Sequence, residues 1–125
     1  MNKEEALYAF WNSIDSAVGA FDETTVPDTA PFPRITYNVA TDSLNNVVPL
    51  HVDVVDSSNS WRKAQEIKDK ISKRVNEKGF VTIPFDGGYI YLCGGAPFAQ
   101  RVDDPDDDRI KRYYINLTAE FLCQY

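Results

Sequence analysis

The chain holds one histidine, two cysteines and one methionine. His51 has no second histidine to share a metal with, and Cys93 and Cys123 form no Cys-x-x-Cys pair. A zinc site built from the usual nitrogen and sulfur ligands is thereby excluded. The two cysteines lie in apolar runs at strand ends and read as buried free thiols in a reducing compartment, with a disulfide between adjacent strands as the alternative. Long apolar runs are also missing, and nothing approaches the ~18 residues of a membrane-spanning helix. Met1-Asn2-Lys3-Glu4-Glu5 lacks the apolar core of a signal peptide, so the expectation is synthesis in the cytoplasm. Positive charge is in deficit, with a net charge of −6. A general nucleic-acid binder needs a basic surface to displace counterions from phosphates, and this balance argues against one.

What the chain does hold is enough for one core. Of its 125 residues, 43% are hydrophobic and 26% charged, which suits a single globular domain spanning residues 1–125 without disulfide or metal support. No internal repeat or Gly/Ser-rich linker divides it. The charge is uneven. Residues 61–78 carry seven basic and three acidic side chains, so the remainder sums to −10. A solvated helix face accounts for this, and so does a basic surface that meets the acidic surface of a like subunit.

Leu7, Phe10, Trp11, Ile14, Ala17, Val18 and Phe21 recur at helical spacing and predict a helix over residues 3–20. Pro27, Pro31 and Pro33 then force an extended loop. Arg34–Thr41 alternates, Asp42-Ser43-Leu44-Asn45-Asn46 supplies turn residues, and Val47–Asp56 returns, together a β-hairpin. Pro49 has no backbone donor and marks an edge or bulge nearby. Asp56-Ser57-Ser58-Asn59-Ser60 is a helix-start cluster. The second helix covers about 60–77, with Trp61, Ala64, Ile67, Ile71 and Val75 inward and Gly79 as its stop. Val81–Phe85 and Tyr89–Cys93 flank the turn Asp86-Gly87-Gly88, and Gly94-Gly95-Ala96-Pro97 ends the second of them. The last strand, about 109–123, sets Tyr113, Ile115, Leu117, Ala119 and Phe121 on one face and Tyr114, Asn116, Thr118 and Glu120 on the other. The expected fold is α+β in the order α-β-β-α-β-β-β, an antiparallel sheet with two helices packed on one face.

Groups for catalysis are sparse. His51 and Asp53 share a strand face, yet no Gly-x-Ser-x-Gly elbow supplies a nucleophile. The glycine pairs open no helix and precede no Lys-Ser/Thr, which excludes a phosphate loop. Asp103-Asp104-Pro105-Asp106-Asp107-Asp108 offers clustered oxygens for Ca²⁺ or Mg²⁺, but the EF-hand spacing fails for want of the glycine and terminal glutamate. The expectation is no catalytic, cofactor or metal residue. The contact candidates are Arg62, Lys63, Lys70, Lys73 and Arg74 on the basic helix, Asp103, Asp104, Asp106, Asp107 and Asp108 in the acidic run, and Tyr114, Asn116 and Glu120 on the polar strand face.

Four stretches carry a likeness that covers nearly the whole chain. They are the first helix with its Pro-rich lead-in from Val26-Pro27-Asp28 to Pro31-Phe32-Pro33-Arg34-Ile35-Thr36-Tyr37; Val54-Val55-Asp56-Ser57-Ser58-Asn59-Ser60-Trp61; Pro97-Phe98-Ala99-Gln100-Arg101-Val102 with the acidic run; and Tyr114-Ile115-Asn116-Leu117-Thr118-Ala119-Glu120-Phe121-Leu122. In these the chain resembles the tail-terminator (tail-completion) proteins of long-tailed bacteriophages and their prophages. The resemblance implies a homo-oligomeric ring, commonly of six subunits, at the head-proximal end of the tail tube. Such a ring stops tube polymerisation and offers a surface to the head–tail connector proteins. It implies partners in the tail-tube protein and the connector, DNA passing through the lumen without specific binding, assembly in the host bacterial cytoplasm, and no catalytic residues. Two other readings stay open: another phage neck or connector protein, and a small metal-binding module using His51, Asp53 and the acidic run.

Overall fold

The computed structural model describes residues 1–39 and 47–123, with the Cys123 side chain outside the description. The expected turn at 42–46 and the end of the strand before it lie outside the described residues. Helix α1 spans Lys3–Asn12, β1 Gly19–Asp22, β2 Arg34–Tyr37, β3 Val47–Ser57, α2 Arg62–Asn76, β4 Val81–Phe85, β5 Gly88–Asp103 and β6 Ile110–Cys123. The six strands form one sheet in the order β1-β2-β3-β6-β5-β4. The β1–β2 pair is parallel and every other pair antiparallel. The sheet curls into a half-barrel, and the chain is 46% strand against 22% helix.

This overturns the expected fold class. The structure is a predominantly β, mixed six-stranded sheet with an extra strand, not an α-β-β-α-β-β-β antiparallel sheet carrying two helices. The extra strand comes out of the first predicted helix. Helix α1 starts on a capping box, with Asn2 Oδ1 accepting from the Glu5 amide at 2.8 Å and Glu5 Oε1 accepting from the Asn2 amide at 3.0 Å. It ends at Ser13, whose Oγ donates to the Phe10 carbonyl at 2.6 Å. Asp15 Oδ1 then accepts the Ala17 amide at 2.9 Å. Ser13, Asp15 and Ser16 compete for the backbone in this way and are poor helix continuers. Val18 and Ala20 are still buried, but as parts of a turn and of β1.

A second difference concerns β5. It runs on past Gly94-Gly95-Ala96-Pro97, where a stop is expected, to Asp103. The register with β6 slips between Gly94 and Ala99, so Pro97 sits in a bulge where no ladder donor is required. At the second helix, Asp56 and Ser57 belong to β3, and Trp61 is the N-cap without a side-chain capping bond. Gly79 follows α2 at φ 83°, in the left-handed region that favours glycine.

One core joins Leu7, Phe10 and Trp11 of α1, Ala64, Ile67, Ile71 and Val75 of α2, and the inward residues of the sheet. Ile115, Leu117, Ala119 and Phe121 of β6 are all buried in it, as their alternation predicts. The opposite face of β3 and β6 carries His51, Asp53, Tyr114, Asn116 and Thr118. No described helix is long and apolar enough to cross a membrane.

Candidate functional site

The polar face of β2, β3 and β6 gathers more chemistry than any other region described. Its period-2 pattern sets Thr36, His51, Asp53, Arg112, Tyr114, Asn116 and Thr118 on one side of the sheet. His51 Nε2 meets Glu23 Oε2 at 2.7 Å, just after β1. The His51 ring stacks on Tyr114 with centroids 5.0 Å apart, a diagonal cross-strand pair. Asn38 Oδ1 accepts from the His51 amide at 2.6 Å. Asn116 Nδ2 donates to the Pro97 carbonyl in the β5 bulge at 2.9 Å. Gly95 lies so close to β6 that an added Cβ would stand 3.0 Å from Asn116 Cβ. Thr118 Oγ1 lies 2.9 Å from the Sγ of Cys93, a half-buried free thiol where a buried one is expected. Between these groups runs an open groove of about 480 Å³ lined by Asn38, Pro49, His51, Gly95, Asn116 and Thr118.

Towards the Pro-rich segment this face is drier. Val55 is 2% exposed, Asp53 8% and Thr36 9%. Arg112 Nη1 donates to Asp53 Oδ2, while Asp53 Oδ1 is buried without a partner. Burial pushes the Asp53 carboxyl above the usual carboxylate range, and the Arg112 guanidinium opposes that push in part. Arg34 lies 4.3 Å over the Phe32 ring and donates to the Ala30 carbonyl at 3.1 Å. Burial, then the neighbouring Arg112 charge, lowers the Arg34 pKa.

His51 and Asp53 share a face but do not pair with each other. His51 turns to Glu23 and Asp53, through one of its oxygens, to Arg112. Among the described residues no three His, Cys, Asp or Glu side chains are gathered as a metal group. Tyr114 and Asn116 belong to the polar face as expected, and Glu120 is on it near the start of β3, opposite Val47. Arg62, Lys63, Lys70, Lys73 and Arg74 all lie exposed on α2, on the other side of the sheet. Three of them are engaged locally: Arg62 with Glu66 at 3.3 Å, Lys70 with Asp15 at 2.6 Å, and Arg74 over the Phe10 ring at 5.2 Å. Lys70 holds the Asp15 carboxyl below the usual range.

The acidic run forms the β5–β6 connection and is folded on itself. Asp104 Oδ1 accepts from the amides of Asp106 and Asp107, and Asp107 Oδ1 from the amide and Nε of Arg109. The Arg109 amide above all, then its side chain, lowers the Asp107 carboxyl. Asp103, Asp106 and Asp108 are exposed. Among the described residues no ion pair joins this run to α2. Glu23, Asn38 and Arg112 escaped the sequence reading because their partners are distant in sequence; only Asn38 stood in a recognised alternation. No family model matches the chain, and no curated protein matches it.

Proposed function

We propose that the chain is a structural subunit of a tail-terminator ring, set at the head-proximal end of a phage tail where it ends tube polymerisation and receives the head connector. The observation that carries this reading is the shape and finish of the sheet. It is a half-barrel whose inward residues share one core with α1 and α2, and whose other face is lined by polar side chains pinned to one another. Copies arranged around an axis continue the curl and present the polar face as a shared wall. The resemblance of the four stretches points the same way. Three of them map onto the Pro-rich lead-in to β2, the second half of β5 with the acidic run, and β6. The acidic run and α2 stand apart, so in an assembly the acidic run of one copy meets cations of another or of the connector.

The test is light scattering coupled to size exclusion, on the chain alone and with the tail-tube protein of the same genome. The expected result is a ring-sized species, about six chains, in at least one of the two samples. A chain that stays monomeric in both and leaves the tube protein unbound refutes the terminator role and favours a different neck position.

A further inference from the structure

A second surface lies on the helix side of the sheet, at the start of α2. Trp61 and Tyr113 meet edge to face with centroids 5.2 Å apart. Arg101 of β5 lies over both rings, its Cζ 4.6 Å from Trp61 and 5.8 Å from Tyr113. Its Nε donates to Tyr113 Oη at 3.2 Å. These contacts fix the guanidinium plane and leave its Nη fork without an acceptor among the described residues. Lys68 and Lys111 stand over the same rings, at 5.5 Å from Tyr113 and 5.9 Å from Trp61. Both are already balanced. Lys68 pairs with Asp69 at 2.6 Å, and Lys111 bonds the Asp108 carbonyl with Asp56 and Asp103 opposite it in register. Arg101 is the cation of the three that has no acid.

The strand carrying Arg101 has an open side. β4 pairs with β5 only as far as Leu92, whereas Ala99–Asp103 pair with β6 alone. Beyond Leu92 no described strand lies along that edge, and Val102 there is 36% exposed. An edge of free backbone donors and acceptors beside a held arginine fork has one natural complement, an extended chain with carboxylates on alternate residues.

We infer that the Ala99–Asp103 edge receives an acidic extended segment of a partner protein, which adds as a strand and sets a carboxylate on the Arg101 fork. Nucleic acid fits less well. It has no peptide groups to extend the ladder, and the ladder is the feature of this edge that singles out a polypeptide. The inference stands independently of the ring reading.

The probe is a synthetic peptide of alternating glutamate and valine. Its Lys/Val counterpart and a short single-stranded oligonucleotide are the controls. Trp61 is partly exposed at the seat whereas Trp11 is 2% exposed in the core, so tryptophan fluorescence reports the seat. The expected result is saturable binding of the acidic peptide only. Arg101→Ala weakens it about ten-fold, the loss of one charge-assisted anchor worth about 1.4 kcal/mol. Arg101→Lys keeps the charge, loses the fork and falls between, which separates recognition from a folding defect. Lys78→Ala leaves binding unchanged. The inference is overturned by absence of peptide binding, by equal affinity in Arg101→Ala, or by an oligonucleotide that binds as well as the peptide. Concentration-dependent self-association abolished by Arg101→Ala overturns it too, since the occupant is then a second copy.

Discussion

Replacing Arg112 with methionine isolates the electrostatics that hold the dry end of the polar face. The substitution keeps most of the apolar stem and removes the one hydrogen-bonding partner Asp53 has among the described residues; the Asp53 side chain is 12% exposed and its other oxygen is already unpaired. Breaking a fully buried pair costs about 3–5 kcal/mol. Arg112 is 37% exposed, so solvent screens its half of the pair, and its departure also relieves repulsion on Arg34. The expected loss at pH 7 is therefore about 2 kcal/mol. Its pH dependence has a definite sign. Burial raises Asp53 above its ordinary 3.8 and Arg112 acts against that rise. The pair's contribution is thus present where Asp53 is ionised and fades as pH falls through its folded pKa. Urea unfolding followed by tryptophan fluorescence, at pH 7 and near pH 4, reads both quantities. A deficit that is equal at the two pH values, or below about 0.5 kcal/mol at pH 7, refutes the assignment of a buried, Arg112-dependent carboxylate.

Tyr37 is 3% exposed, and burial, followed by the charge of Asp22, pushes its hydroxyl up to about 12. Its folded pKa is above the unfolded value of 10, so the stability it contributes is whole below pH 10 and is lost as pH rises towards 12. Tyr37→Phe should resist alkaline unfolding better than the parent, and ultraviolet titration should show a late-titrating component in the parent that the variant lacks. Gly95→Ala brings a Cβ to 3.0 Å from Asn116 Cβ and 3.2 Å from its carbonyl oxygen. Because backbone cannot give way like a side-chain tip, a loss of about 1 kcal/mol is expected in thermal unfolding; an unchanged midpoint would show that the bulge is loosely held.

The alternation of β3 and β6 was legible because a half-buried strand repeats every two residues, and Leu50, Val52, Val54, Ile115 and Leu117 obey it. The stripe on α2 was legible for the same kind of reason. Strand β1 was not. Ala17, Val18 and Phe21 continue the helical stripe, and only the parallel pairing of Gly19–Asp22 with Arg34–Tyr37 shows that a strand begins there. The second half of β5 was hidden by Gly94, Gly95 and Pro97, which read as a stop. A bulge absorbs them, and the strand resumes. Of the site, the sequence showed which residues share a face but not which touch: His51 and Asp53 are neighbours in the pattern, yet Glu23 and Arg112 take them from elsewhere in the chain.

The surfaces of this protein differ in how tightly they are held, and that difference bears on their use. On the polar face, His51, Asn38, Asn116 and Thr118 all have protein partners. Fixing such side chains costs about 1 kcal/mol or more each in lost rotamer freedom, which a face that only needed to be wet would not incur. Ordered polar groups in fixed positions suit a surface that must meet a neighbour in one register. The exposed cations of α2 and the free aspartates of the β5–β6 connection are the opposite case. Their long side chains and self-folded loop hold no particular partner geometry, but their fields reach about 8–10 Å at moderate salt. They are suited to steering an encounter, and the pinned sheet face to deciding whether the encounter fits. In the proposed ring, raising ionic strength should therefore slow assembly while leaving dissociation nearly unchanged, whereas substitutions at His51 or Asn116 should speed dissociation. The reverse pattern in stopped-flow and dilution measurements would assign the two surfaces the other way round.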